Sequence, residues 1–373
     1  MTTAVKPDVG APGNPEAHKV AAYPLFDWLR FVLASIVVLD HTGFRVFPFL
    51  SGGLAVDIFF ALSGWLIGGI LLSTSRAELP RFFFNRSTRI WIPYAVAIIL
   101  LYSVAALKEG IDFFWFKYLF LDVTFTHQLY TFFPVATFEL PLDGSGNQFW
   151  SIAVEEQFYL IAPLIMLILP SGKSIWIWVP IALLTMFMGW HAAPVSLGVC
   201  AAILQRDFDI ARSVIVRSVA MIVFLSAATW MWISATESLA APIFAIATVI
   251  LTAIPGRRSA LALVAGGLSY PLYLNQWIAA FVVNFFEKRW LPLDQVAYVT
   301  IVYLFSIVMG FILYWLIDRR IQHRRNDWYS PSLGKALGVA AYVLVAFGIV
   351  GGGLMHLYGP HAVVPPGYET SNH

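Results

Sequence analysis

The stretch 27-DWLRFVLASIVVLDH-41 places Asp27, Arg30, Asp40 and His41 in a run otherwise apolar enough for a membrane-spanning helix. Ionisable side chains are costly in hydrocarbon, and those found within spans tend to mark functional sites. Arg30 and His41 are eleven residues apart, which on an α-helix is about 16 Å of rise and about 20° of rotation. They share a face, so a polar line runs from an arginine at one boundary to a histidine deep in the span. Asp40 points about 100° away from His41 and is available to another helix. Two plainer readings stand beside this one: Arg30 as a snorkelling interfacial arginine, and His41 as a structural histidine bonded to a neighbour.

Outward from this stretch the chain keeps the same character. Of 373 residues, 59% are apolar and 12% charged, which excludes an ordinary soluble protein and leaves no room for a large soluble catalytic domain. Apolar spans run at 26–46, 53–73, 90–107, 151–170, 174–190, 193–205, 213–233, 240–254, 268–286, 296–317 and 335–356. The expected fold is an all-α polytopic membrane protein of about eleven transmembrane helices. Residues 1–22 read as a cytoplasmic tail, 23–325 as the transmembrane core, 326–357 as a linker and additional helix, and 358–373 as a short extracytoplasmic tail. With the N-terminus inside, seventeen Lys and Arg fall in the cytoplasmic loops and five in the others. That bias supports a cytoplasmic N-terminus and an extracytoplasmic C-terminus. The longest connection, 108–148, then faces outward as a candidate lid or re-entrant segment.

Three further constellations carry candidate chemistry. In PRFFFNRSTRIWIPY, in the first cytoplasmic loop, Arg86 and Arg89 are spaced i, i+3 on one helical face. Paired guanidiniums suit phosphates, although topogenic positive charge alone would also place arginines there. In GSGNQFWSIAVEEQFYLIAP, Trp150 and Ser151 precede Glu155 and Glu156, two carboxylates about one turn inside a span. Each needs a polar cavity or a partner on another helix. In GGLSYPLYLNQW, Pro271 interrupts a span beside Tyr273 and Gln276, as a cavity wall would. AVDIFFALSGWLIGG adds Asp57 at an outer helix end, with Ser63, Gly64, Gly68 and Gly69 suited to close helix packing.

Other mechanisms lack their residues. There is no Walker-type phosphate loop, no paired Cys or His motif for a metal, no GxSxG elbow and no basic nucleic-acid-binding stretch. The lone Cys200 excludes an internal disulfide. His191 reads as incidental.

Taken in order, FDWLRFVLASIVVLDH, FFALSGWLI, FFFNRSTRIWIPY, NQFWSIAVEEQFYL and LSYPLYLNQW resemble the acyltransferase-3 family of integral membrane O-acyltransferases. LIDRRIQ is a looser match. The resemblance implies a ten-helix core that passes an acyl group, usually acetyl, from cytoplasmic acyl-CoA to a hydroxyl of an extracytoplasmic or lipid-linked glycan. The implied setting is the bacterial inner membrane. By the same resemblance Arg30 and His41 belong to the first-helix motif, Arg86 and Arg89 to an RxxR motif, and Trp150, Ser151 and Glu155 to a WSxxxE pattern. Many members carry a histidine where this chain has Gln276. With one C-terminal span and a short tail, the chain resembles the form without a secreted SGNH domain.

The expected mechanism makes His41 the general base and has Glu155 orient it or the acceptor. Arg30, Arg86 and Arg89 hold the acyl-CoA. Asp57, Trp150, Ser151, Glu156, Tyr273 and Gln276 are the candidate substrate-binding residues, and no metal is expected. The rival is a transporter or flippase in which the same polar line is a substrate path.

Overall fold

The computed structural model describes residues 22–234, 239–290 and 292–364. The expected N-terminal tail, apart from Ala22, lies outside the described residues, as does the C-terminal tail from 365. The helices are α1 (Pro24–His41), α2 (Gly52–Ser73), α3 (Leu79–Glu109), α4 (Phe113–Val123), α5 (Phe149–Ile168), α6 (Ile175–Phe187), α7 (Ala192–Phe208), α8 (Val214–Ser234), α9 (Ala240–Thr252), α10 (Ala260–Glu287), α11 (Gln295–Trp328) and α12 (Pro331–Tyr358). No strand occurs among the described residues. Six helices are long and apolar enough to cross a bilayer by length and composition: α2, α3 with its preceding turn, α5, α8, α11 and α12. Their outward faces stay apolar, as Val339, Val343, Phe347, Val350 and Leu354 do along α12. In water such a ridge would be a liability; in lipid it is the expected surface. The protein is an all-α, multi-pass membrane protein.

The eleven apolar stretches each fall on a helix, but several ends move. Helix α3 begins at Leu79 rather than at 90, because Ser75 and Glu78 form a reciprocal capping box and Pro80 occupies the first turn. Arg86 and Arg89 therefore sit on a membrane helix, not in a loop. Helix α6 is only 13 residues long and is followed by Gly189 in the left-handed region. Helix α11 continues past 317 through a π-helical turn, Tyr314–Asp318.

Helix directions follow from contacts at both ends. Asp27 abuts Gly266 while His41 meets Gln276, so α1 and α10 run parallel. Gly64 and Gly68 face Val195 and Val199, so α2 and α7 are parallel. Gly334 and Gly338 face Pro80 and Phe83, so α12 runs with α3. Gln295 Nε2 donates to Thr42 O (3.0 Å) and Tyr303 OH to Ser35 Oγ (3.0 Å), which sets α11 antiparallel to α1. Strict alternation of eleven crossings demands each of these directions. The ends thereby sort into two sets, with Arg30, Arg76, Arg81, Arg258 and Arg325 in the set that holds the start of α1.

The tightest contact joins α2 to α7. A Cβ on Gly64 would strike Val195 O, and one on Gly198 would strike Ala61 O, so the two backbones touch. Small residues permit this approach, which dispersion then rewards over the whole seam.

At the opposite end from Arg30, the 110–148 connection is folded around buried charge. Lys117 pairs with Glu139, which also accepts from Tyr118 OH (3.2 Å). Asp122 accepts from Tyr102 OH (2.6 Å) and lies 2.6 Å from His127 Nδ1. Helix α12 seals the segment: Gly348, Gly351 and Gly352 leave room for Thr124, Phe120 and Tyr130, and Tyr130 OH donates to Ile349 O.

Gly198→Val forces a side chain into the Ala61 carbonyl, and overpacking costs about 1–3 kcal/mol or more. The melting temperature in detergent should fall clearly, whereas Gly69→Ala, with open space at its Cβ, should leave it unchanged.

Candidate functional site

The predicted residues form three groups along the axis from the start of α1 to its end. The first is cationic. Arg30 lies within electrostatic range of Arg86, Arg89 and Arg258, and Arg86 within range of Arg89 and Arg325. Asp27, buried at the first turn of α1, faces Arg30 (3.6 Å) and Arg258 (3.1 Å). Guanidiniums gathered at a helix-bundle end with few carboxylates form a site for anions, phosphates above all. Arg86 and Arg89 share a face by their spacing, and Arg30 joins them from another helix. Arg258 and Arg325 come in from parts of the chain far apart in sequence, which no spacing links.

The second group surrounds Glu155. Ser63 Oγ donates to its Oε1 (2.6 Å) and Tyr159 OH to its Oε2 (3.0 Å), while Arg86 lies over the Tyr159 ring at 5.6 Å. Glu155 is therefore held from α2 and from its own helix. It is not the partner of His41, which corrects the expectation that it orients the histidine. Glu156, one residue on, faces another way: it is buried and accepts from Trp91 Nε1 (2.9 Å). Ser151 and Tyr273 hydroxyls lie 2.6 Å apart and both contact Gln148 O (3.1 Å each), so they tie α5 to α10.

The third group is at the end of α1. His41 Nδ1 lies 3.0 Å from Gln276 Oε1. The other end of that amide, Nε2, donates to Tyr273 O at 3.4 Å, which orients the amide oxygen toward the histidine. An amide oxygen only accepts, so in this pairing Nδ1 is the donor. Gln276 is buried and His41 exposed, so the amide is the fixed support of the two. Asp40 takes no part: it pairs with Arg45 and accepts from Gly52 N (2.8 Å), closing the turn from α1 to α2.

Near the same end, His191, which read as incidental, lies against two of the candidate residues. Its Nδ1 is 3.5 Å from Asp57 Oδ1, and its ring lies tilted against that of Trp150 with centroids 4.4 Å apart, with Phe60 edge-on to Trp150 at 5.8 Å. Asp57 and Trp150 are thus neighbours through a histidine from the α6–α7 connection. No spacing in the sequence joins these three. Among the described residues, no three His, Cys, Asp or Glu side chains converge as a metal site would require.

Comparison with known proteins identifies the family. The chain is 31% identical over 154 residues to the peptidoglycan O-acetyltransferase of Listeria monocytogenes, covering 39% of this chain and 24% of that protein. It is 27% identical over 223 residues to a putative O-acetyltransferase of Staphylococcus aureus strain COL, covering 54% of this chain and 33% of the relative. An O-acetyltransferase of Staphylococcus aureus strain NCTC 8325 is 30% identical over 155 residues, 38% of this chain and 24% of its own length. The matched stretches span a quarter to a third of these relatives. No solved structure matches the chain. The family model described as an acyltransferase domain matches residues 23–315, from the residue before α1 into the π-helical turn of α11, and so takes in the side chains of all three groups except Arg325. On that match the protein belongs to the acyltransferase-3 family.

Proposed function

We propose that the protein is an acyl-CoA-dependent O-acetyltransferase of a bacterial inner membrane, acting on a hydroxyl of an extracytoplasmic or lipid-linked glycan. The observation that carries this is the pairing of His41 with Gln276, which leaves Nε2 as a base at one end of α1 while guanidiniums gather at the other. The names of the relatives, one of them a peptidoglycan O-acetyltransferase, favour acetyl as the group and a carbohydrate as the acceptor.

The chemistry follows from what each end supplies. A sugar hydroxyl is a weak nucleophile at neutral pH, and a positioned base contributes roughly 10²–10⁴ in rate. His41 Nε2 takes the hydroxyl proton as the oxygen attacks the thioester carbonyl. The carbonyl–sulfur bond breaks, the ester forms, and the proton passes to the leaving thiolate. Arg30, Arg86 and Arg89 bind the donor phosphates, and the separation of about 16 Å from Arg30 to His41 along the helix suits an extended pantetheine arm. Glu155, held by Ser63 and Tyr159, lies along that route with Arg86 beside it. Trp150, Asp57 and His191 offer the acceptor an aromatic face and hydrogen-bonding groups. The end rich in Arg and Lys is then cytoplasmic, by the positive-inside rule.

Acetyl-CoA should raise the melting temperature of the purified protein in detergent, and Arg89→Ala should remove that protection; a wild-type chain that no acyl-CoA stabilises would sink the donor assignment. His41→Ala should abolish glycan acetylation, read by mass spectrometry of surface glycans, while donor protection persists. Gln276→Leu, which strips the acceptor from Nδ1, should cut turnover at least about tenfold out of the general-base contribution. Gln276→Glu keeps an acceptor there and should retain more activity than the leucine variant; equal rates in both would show that the amide does not hold the histidine.

A further inference from the structure

We propose that Asp318 and Arg325, on the part of α11 beyond the family match, complete the anion-binding end of the site. Arg325 is a further phosphate-binding guanidinium beside Arg89, and Asp318, which lines the same void, is the positioning residue for Arg89. The inference rests on the reading of the donor as an acyl-CoA.

The π-helical turn Tyr314–Asp318 makes this possible. It widens the helix by one residue and so rotates everything after it. The Tyr314 ring occupies the space a Cβ on Gly267 would need, which presses the turn against α10. From its last residue onward, Asp318, Ile321, Gln322 and Arg325 recur at i, i+3, i+4 and i+7 and line a void together with Arg89 of α3. The end of α11 is pinned there from the side. Arg81 Nη2 donates to Asn326 Oδ1 (2.7 Å), and its guanidinium lies 4.3 Å from the centre of the Tyr329 ring.

Two polar atoms in this wall are buried without a hydrogen-bond partner, Asp318 Oδ2 and Arg325 Nε. Asp318 is 6% exposed. A buried carboxylate oxygen and a buried guanidinium nitrogen left open are costly unless they serve a ligand or each other's orientation. Asp318 faces Arg89 electrostatically, and Arg325 faces Arg89, Arg86 and Arg81. The void measures about 10 Å³, far below the size of a phosphate group. Asp318 therefore acts on the guanidiniums from within the wall rather than on the ligand. Among the described residues, the five guanidiniums Arg30, Arg86, Arg89, Arg258 and Arg325 face the carboxylates of Asp27 and Asp318, with Glu155 within range of Arg86. The excess positive charge fits a donor that carries several phosphates, and bidentate guanidinium contacts are the usual way to hold them.

The test is CoA binding to the full chain in detergent, with kinetics on the same preparations. Arg325→Ala should weaken CoA about tenfold, the loss of one charge-assisted contact. KM for acetyl-CoA should rise in proportion while kcat at saturating donor stays near wild type. Arg325→Lys, which keeps charge and stem, should fall between the two. Asp318→Ala should also weaken CoA, and Asp318→Glu should restore most of the affinity, a rescue that mere packing would not give. CoA affinity within twofold of wild type in both Arg325 variants overturns the inference while leaving the donor reading intact. A fall in kcat without a change in KM overturns it too. A wild-type chain that binds no CoA overturns both.

Discussion

Backbone contact between α2 and α7 is the constraint on which the rest of the arrangement depends. With no side chain at Gly64 or Gly198, the two helices close onto each other's carbonyls, and α2 has one rotation left to it. That rotation presents Ser63 to Glu155 and Asp57 to His191, two contacts at different heights on the same helix. In lipid there is no hydrophobic gain from bringing apolar helices together, so close packing and the few polar contacts must supply the specificity. A larger residue on either side would turn α2 and break both polar contacts with it.

The electrostatics divide the molecule along its length. One end holds guanidiniums in excess over their carboxylates. The other end buries paired groups, Lys117 with Glu139 and Asp122 with His127. Buried pairs of that kind hold a conformation more than they add stability, and losing one partner costs about 3–5 kcal/mol. Excess charge suits binding and paired charge suits shape, and the two ends differ in which predominates.

Much of this was readable from residues alone. Lipid demands long apolar helices, so the eleven stretches stand out, and the eleven-residue interval from Arg30 to His41 places both on one face because helical pitch is fixed. The capping box at Ser75 and Glu78 is a local signal as well, but a search for apolar runs starts α3 too late because Arg81, Arg86 and Arg89 interrupt it. The partner of His41 is a different matter. Gln276 is 235 positions away and Ser63 is 92 from Glu155; which side chains meet depends on the rotation of whole helices, and no local pattern encodes that. The π-helical turn in α11 is equally silent, since it arises from the fit of Tyr314 against Gly267 rather than from any run of residues that favours it.

The glycine ridge of α12 bears on how the 110–148 segment moves. Gly348, Gly351 and Gly352 take Thr124, Phe120 and Tyr130 into the helix surface, and Tyr130 is bonded to the helix backbone. Segment and helix are in mechanical terms one piece, interlocked like a key in its slot. A swing of this segment would drag a 28-residue helix sideways through lipid, so its movement is tied to how α12 sits in the bilayer and not to a hinge in the loop. Bilayer thickness and lateral pressure, rather than solvent conditions, become the variables that act on it.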